Sequence, residues 1–366
     1  MARPPPTFDP AWYAAHFDEW PLRIVSARHR TGAESSGELV FTIGDLVAGR
    51  YVITDFLGGA GAFSTALQAL DTATRSLVCL KVIKGVKDYI DQSLDEVRLL
   101  RLANAADPHD TAGILRLLDA FYHREHLFLV TEALRADLHA VARAAAPTRP
   151  PYFTLARVQA VARQVLQALA FLHGLGILHC DVKPENILLK SYSRCEVKLI
   201  DLGSSCLITD PPAGYVQSRA YRAPEVVLGC GYGPSIDVWS VGCVVAELVA
   251  GRVLLPSTSA AGLLARLEGL RGPVPPGMRA RGRYAHRYYT PAGVIVERDR
   301  RTGAAARLKP KRTSLGARVP GADAECLSFL ESLLAVDPAA RPSAAAALTH
   351  PWLAKGYGAG AAMYTG

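Results

Sequence analysis

From Tyr51 onward the chain alternates short apolar and polar positions. YVITDFL, TALQALD and SLVCLKVI are β-rich runs parted by turn signals, the pattern of an antiparallel sheet. DQSLDEVRLLRLA changes the period and puts Leu94, Val97, Leu100 and Leu102 on roughly one helical face. Two more strand-like runs, ILRLLDAF and HLFLVTE, complete a first lobe ending near Leu134. Beyond it, FTLARVQAVARQVLQALAFLHGLG reads as a long amphipathic helix stopped by Gly174 and Gly176. SIDVWSVGCVVAELVAG is apolar nearly all round, which predicts a helix in the middle of a second lobe. Residues 271–321, rich in Arg, Gly and Pro, predict an insert of loops with a short hairpin in YYTPAGVIVERDRRTG. AECLSFLESLLAV and SAAAALTHPWL supply closing helices. Residues 1–50 show little periodicity and read as an extension, and 353–366 as a frayed tail. The expected class is α+β, with a small antiparallel sheet lobe plus one helix (51–134) and a larger, mainly helical lobe (135–352).

Composition adds limits. At 366 residues, half of them hydrophobic and a fifth charged, the chain is ordinary globular material with room for two cores. The formal charge of +8 is compatible with phosphorylated or nucleic-acid ligands, but its simpler reading is a solvated basic surface. No apolar run has the roughly 18 residues of a membrane span, and the start lacks the apolar core of a signal peptide. Seven scattered cysteines form no CxxC pair, so neither a zinc site nor a disulfide framework is expected, and a reducing compartment, cytosol or nucleus, fits best. His123, His126 and His139 lie on or near different elements, which argues against a metal cluster.

The chemistry concentrates in HCDVKPENILL, residues 179–189. An acceptor hydroxyl needs a carboxylate to take its proton, which suits Asp181. Lys183 can neutralise a transferring phosphoryl group, and Asn186 offers a carbonyl oxygen to Mg2+. Fifteen residues on, after the apolar run VKLI, Asp201 in DLG is placed to hold metal against phosphates. On the nucleotide side, Gly59-Ala60-Gly61-Ala62-Phe63-Ser64-Thr65-Ala66 reads as a phosphate-covering loop in which Ser64 replaces a third glycine. Lys81 follows Ala66 by fifteen residues, and Glu96 follows Lys81 by fifteen, on the expected helix. A strand lysine paired with a helix glutamate fixes the α- and β-phosphates of ATP.

G-x-G, VCLK, HCD, DLG and Ala223-Pro224-Glu225 together resemble the eukaryotic protein kinases, over Tyr51 to Trp352. HCD in place of HRD, DLGSSC, and YVQSRAYRAPEVVLG resemble the dual-specificity tyrosine-regulated kinases (DYRK) of the CMGC group. AGRYVITDFLG, DQSLDEVRLL and the insert ending in PKRTSL look closest to that family's plant and algal branch. The resemblance implies a bilobal kinase fold, ATP and Mg2+ as cofactors, and transfer to Ser/Thr hydroxyls of protein substrates. It implies a nucleotide-binding set of Leu57, Gly59, Gly61, Phe63, Ala66, Cys79, Lys81, Thr131, Glu132 and Leu134. It implies autophosphorylation of Tyr215, read by Arg219 and Arg222, because a phosphotyrosine carries about −1.5 to −2 charge and seeks guanidinium forks. Arg222 also matches the arginine that shapes the pocket beside the target residue. Glu225 and Arg341 match a buried ion pair, and Asp237 an anchor of the catalytic-loop backbone.

Departures from the family pattern matter too. Thr131 stands at the gatekeeper position, where many relatives carry an aromatic, and this implies a deeper back pocket. Cys180 stands where an arginine would sense phosphate, so phosphate sensing is expected to be weaker. Cys180 and Cys206 flank segments that converge on one magnesium and are candidates for an oxidative switch, although two buried thiols that never meet is the simpler expectation. KPKR, 309–312, is read as part of the family insert ahead of a nuclear import signal. The rival function is a catalytically weak pseudokinase acting as an ATP-binding scaffold, which loss of Lys81, Asp181 or Asp201 would mark; all three are present. Neither a nucleic-acid nor a membrane partner is expected, and oligomeric state is open.

Overall fold

The computed structural model describes residues 19–29, 39–58, 63–144, 151–211, 213–299, 301–302 and 304–357. The chain divides into two compact units. One comprises residues 1–98 with 117–132, the other 99–116 with 133–366.

The first unit is built on a seven-stranded sheet, order β1-β6-β7-β5-β4-β3-β2: β1 Arg23–Ile24, β2 Leu46–Val47, β3 Tyr51–Phe56, β4 Ser64–Asp71, β5 Ser76–Ile83, β6 Leu117–His123 and β7 His126–Glu132. Alternation decides the buried face. Tyr51, Ile53, Leu67, Ala69, Val78, Leu80 and Val82 point inward and meet Phe121, Phe128 and Val130 in one cluster. Tyr51 stacks on Phe121, and Phe121 on Phe128, with ring centroids 5.7 and 5.0 Å apart. Each such side chain contributes about 1.5–3 kcal/mol by leaving water.

Within residues 1–50, read as an extension, Arg23–Ile24 and Leu46–Val47 supply both edges of the sheet. β1 pairs with β6 in parallel, so the sheet is not wholly antiparallel, and Val25 continues the pairing by donating to Tyr122 O at 2.9 Å. β2 pairs with β3 on the other side. Two-residue strands are too short to carry a period, and their signal in sequence is nil.

The Lys87–Ala106 helix corrects the expected face. Leu94 and Leu102 are 37% and 38% exposed, while Ser93, Glu96, Val97, Leu100 and Ala103 are buried. These follow the i, i+3, i+4, i+7 spacing of one stripe. A reading by hydrophobicity excludes a glutamate from that stripe; Glu96 belongs to it because its charge is paired.

In the second unit the Leu155–Gly174 helix starts at Thr154, whose hydroxyl accepts the Arg157 N–H, and buries nine residues. The Ser235–Ala250 helix buries twelve and ends at Gly251 in the left-handed region. Gly242 on it permits close approach, since a Cβ there would lie 2.9 Å from the Leu334 side chain. Short paired strands β8 Ile177–Leu178 with β11 Cys206–Leu207, and β9 Ile187–Ser191 with β10 Glu196–Leu199, frame the catalytic loop. In the insert, the turn at Thr290–Gly293 precedes a hairpin of β12 Val296–Arg298 and β13 Ala305–Arg307. The hairpin sits a few residues later than expected, because the PAG turn precedes its first strand instead of joining its two strands. Among the described residues no helix is long and apolar enough to cross a membrane.

Candidate functional site

In the first unit, β5 lies between β4 and β7, which puts Lys81 opposite Ala66 and Leu129, and Cys79 opposite Thr131. Glu96 on the neighbouring helix receives Lys81 Nζ on both oxygens, at 3.0 and 2.8 Å. The carboxylate is almost wholly buried, while the lysine side chain is about a quarter exposed. Thr131 is buried and donates its hydroxyl to Glu132 O at 3.3 Å. Burial pushes the Cys79 thiol up, against a hydrogen bond from Thr131. Leu57 and Phe63 are exposed, and the Phe63 ring meets Tyr89 edge-on at 4.7 Å. Gly59 and Gly61 lie outside the described residues; Leu134, partly buried, belongs to the second unit.

The second unit gathers Asp181, Lys183 and Asn186 into one network. Asp181 Oδ2 accepts from Lys183 Nζ at 2.5 Å and from Asn186 Nδ2 at 3.2 Å, and its Oδ1 accepts the Ser218 N–H at 2.9 Å. Lys183 Nζ also reaches the Ser218 hydroxyl at 3.2 Å. Asn186 Nδ2 donates to Asp181 O as well, at 2.9 Å, so the amide presents its Oδ1 rather than its nitrogen to a cation. Asp201 follows β10 with φ 65° and ψ 78°, a left-handed conformation that heads the turn Leu202–Ser204.

Cys180 and Gln217 also have positive φ, 63° and 65°. Strain of this kind costs about 1–3 kcal/mol per residue and persists only where the surroundings enforce it. The enforcers are visible. Asp237, wholly buried, accepts the His179 and Cys180 backbone N–H groups and His173 Nε2, each at 2.9 Å. Burial raises this carboxyl, but His173, by hydrogen bond and charge, and His179, by charge and backbone N–H, outweigh it and leave it below the usual range. Gln217 donates to Ile236 O and Ser240 Oγ and accepts from Ala223 N. His179 accepts the Asp181 N–H on Nδ1 at 3.2 Å, so Nε2 carries the proton donated to Ile200 O at 3.0 Å.

A strand lysine on a helix glutamate in the first unit, and a carboxylate–lysine–amide loop followed by a strained aspartate in the second, are each groupings that phosphoryl transfer uses. The model of the protein kinase domain matches residues 51–353. The chain belongs to the protein kinase domain family. Within it, the sequence groups with the DYRK kinases. The kinase is 33% identical to human "Dual specificity tyrosine-phosphorylation-regulated kinase 3" over 88% of its own length and 57% of the relative's. It is 38% identical to "DYRK-family kinase pom1" of Schizosaccharomyces pombe over 66% of this chain and 22% of that one. With "Serine/threonine-protein kinase ppk5" of the same yeast it shares 35% over 87% of this chain and 38% of the relative. The kinase thus spans less than two thirds of these relatives' length.

In this kinase Tyr215 is 69% exposed, and the Arg222 guanidinium sits 3.8 Å from its ring centroid. Arg222, with Arg219, holds the phenol below its usual range. Arg219 donates to Thr258 O at 2.7 Å, and Arg222 donates to Val216 O and Gln217 O. Glu225 and Arg341 form a two-pronged pair at 2.6 and 2.7 Å, with side chains 1% and 0% exposed.

Cys180 and Cys206 do meet: their sulfurs lie 3.7 Å apart, which corrects the expectation that they stay separate. The shared hydrogen bond lowers the Cys206 thiol and, with burial, raises that of Cys180. Pairing of β8 with β11 sets Cys206 opposite Leu178, two residues from Cys180, a juxtaposition invisible in the linear order. Sequence reasoning also missed Ser218, Gln217 and His173. For Ser218 the one available signal was a hydroxyl flanked by the activation-segment tyrosine and arginines. Among the described residues no three His, Cys, Asp or Glu side chains form a metal cage.

Proposed function

We propose that this chain transfers the γ-phosphoryl group of ATP to Ser/Thr hydroxyls of proteins and phosphorylates its own Tyr215. The observation that carries the reading is the Asp181 carboxylate, held by Lys183, Asn186 and the Ser218 N–H. Fixed this way, Asp181 takes the acceptor hydroxyl's proton as the oxygen–phosphorus bond forms. Lys183 keeps an ammonium beside the reacting oxygen. The Lys81 ammonium, oriented by Glu96, is positioned to bind phosphate oxygens. Asn186 Oδ1 and Asp201 are the residues that would hold Mg2+, which when bound neutralises charge on the phosphates. Lys81, Asp181 and Asp201, whose loss would mark the scaffold reading, are all present.

The test is incubation of phosphatase-treated protein with ATP and Mg2+, beside an Asp181→Asn control. Phosphosites are mapped by mass spectrometry and a generic Ser/Thr peptide is assayed. Wild type phosphorylates the peptide and the control does not, by at least about 10²-fold. Phosphate is expected on Tyr215 of protein made in bacteria. Peptide turnover without it refutes the self-activation part alone; bound ATP with no turnover refutes the enzyme.

A further inference from the structure

Thirteen Arg and Lys lie between residues 271 and 321 against two carboxylates, a net +11. The whole chain carries +8, so everything else sums to −3. The basic character noted in the composition is therefore the property of one segment and not a general surface feature.

That segment forms one wall of a groove of about 1540 Å³ in the second unit. Arg287 and Arg298 belong to that far wall, and the other wall is the activation segment at Tyr215, Arg219 and Arg222. At this volume it exceeds the 300–1,000 Å³ usual for small-molecule pockets, as an open trough for a chain segment would. Both far-wall arginines are exposed, and neither has a carboxylate partner among the described residues. Glu297 and Asp299 also border the groove, but Asp299 Oδ1 accepts from Arg301 N, Thr302 N and the Thr302 hydroxyl of its own turn. Four arginines against two carboxylates give the lining a formal charge of +2 from these groups.

The groove's near end is tied to the chemistry. Ser218 donates its N–H to Asp181, and the next residue, Arg219, lines the groove. A phosphate on Tyr215 would occupy Arg219 and Arg222, which already flank the phenol. Arg287, in the helix Ala285–Tyr288, and Arg298, in β12, stand beyond that need: Arg287 lies over the Tyr284 ring at 4.7 Å, and among the described residues neither is tied to a carboxylate.

We propose that this groove is a docking channel for an acidic segment of the protein substrate, outside the acceptor residue, with Arg287 and Arg298 as its carboxylate-binding residues. An extended peptide advances about 3.3 Å per residue, so a substrate whose hydroxyl is at Asp181 enters the groove within a few residues. Guanidinium forks on two walls recognise carboxylates in pairs and repel basic sequences, which sets specificity and encounter rate together. The inference rests on the kinase reading for what the docking serves, but not for the binding itself.

Two measurements separate these. Steady-state KM is compared, at low salt, for a Ser/Thr peptide with and without a six-glutamate tail, the tail being placed on either side through a Gly-Ala spacer. Fluorescence anisotropy of a fluorescein-labelled hexaglutamate peptide lacking any hydroxyl reads binding without turnover. The 366-residue wild type and its Arg287→Glu/Arg298→Glu variant are used, with thermal melting to confirm that the variant is folded. Expected is a KM about tenfold lower for one tailed peptide, kcat unchanged, with the advantage and the anisotropy signal lost in the variant. Equal KM for all peptides, or an advantage that survives charge reversal, overturns the proposal. So does a 20-nucleotide single-stranded RNA that binds through the same arginines more tightly than the acidic peptide, since the surface is then one for nucleic acid. If no peptide turns over but the labelled peptide binds wild type and not the variant, the channel stands and the kinase reading falls.

Discussion

The Glu225–Arg341 pair invites a perturbation whose outcome is asymmetric. Both side chains are essentially sealed from water and meet through two bonds. Arg341 has further work: it donates to Ala335 O, Ser235 O and Val336 O, at 2.8, 2.9 and 3.2 Å. Glu225→Gln removes a charge but leaves an oxygen to accept and the three carbonyls still served. Arg341→Met strands a buried carboxylate and releases three carbonyls at once. Breaking a buried pair on one side costs about 3–5 kcal/mol, and each carbonyl left unpaired adds about 1 kcal/mol or more. Arg341→Met is thus expected to lose at least about 4 kcal/mol, and Glu225→Gln clearly less. At roughly 2–4 °C per kcal/mol for a unit of this size, the melting midpoint falls by about 8–16 °C for Arg341→Met. The double variant Glu225→Met/Arg341→Met, which removes both charges, recovers part of that loss. Urea denaturation with constant slope, alongside thermal scans, supplies the numbers. Equal losses for the two single variants, or a double variant equal to the sum of its parts, would refute the reasoning.

Asp237→Asn cannot accept both the His179 and Cys180 N–H groups, so the left-handed Cys180 backbone relaxes and kcat falls about 10²-fold in a peptide assay. Because the folded carboxyl lies below its ordinary value, its stability contribution is complete above about pH 4 and is lost as pH falls through the lower folded value. The gap between wild type and variant in denaturant midpoint should narrow in acid by that sign. Hydrogen peroxide should join Cys180 to Cys206, two thiols and one peroxide giving a disulfide and two waters, with activity lost and then restored by dithiothreitol. A Cys206→Ser variant inactivated at the same rate as wild type would end that idea.

Much of the site was legible because its chemistry is local in sequence. Asp181, Lys183 and Asn186 fall within six residues, and a loop that short holds them together whatever surrounds it. Lys81 and Glu96 were legible for a different reason: strand and helix periods placed them on neighbouring elements. Where the reading failed, the deciding partner lay far along the chain. Leu94 looked like core and Glu96 did not, until Lys81 supplied the charge that lets a glutamate take the buried stripe. Gln217 and Ser218 carry no motif of their own; their roles come from Asp181, Ile236 and Ser240, nineteen or more residues away.

Residue types and spacings by themselves determined the α+β class, the family resemblance and the identity of the chemical groups, since hydrophobic period and short-range motif are properties of neighbours. Only tertiary structure decided which thiols meet, which backbone positions are held strained, and that Arg287 and Arg298 of the basic insert line one groove with Arg219 and Arg222. Each of those depends on distance in space, and a distance between residues far apart in the chain exists only after the chain has folded.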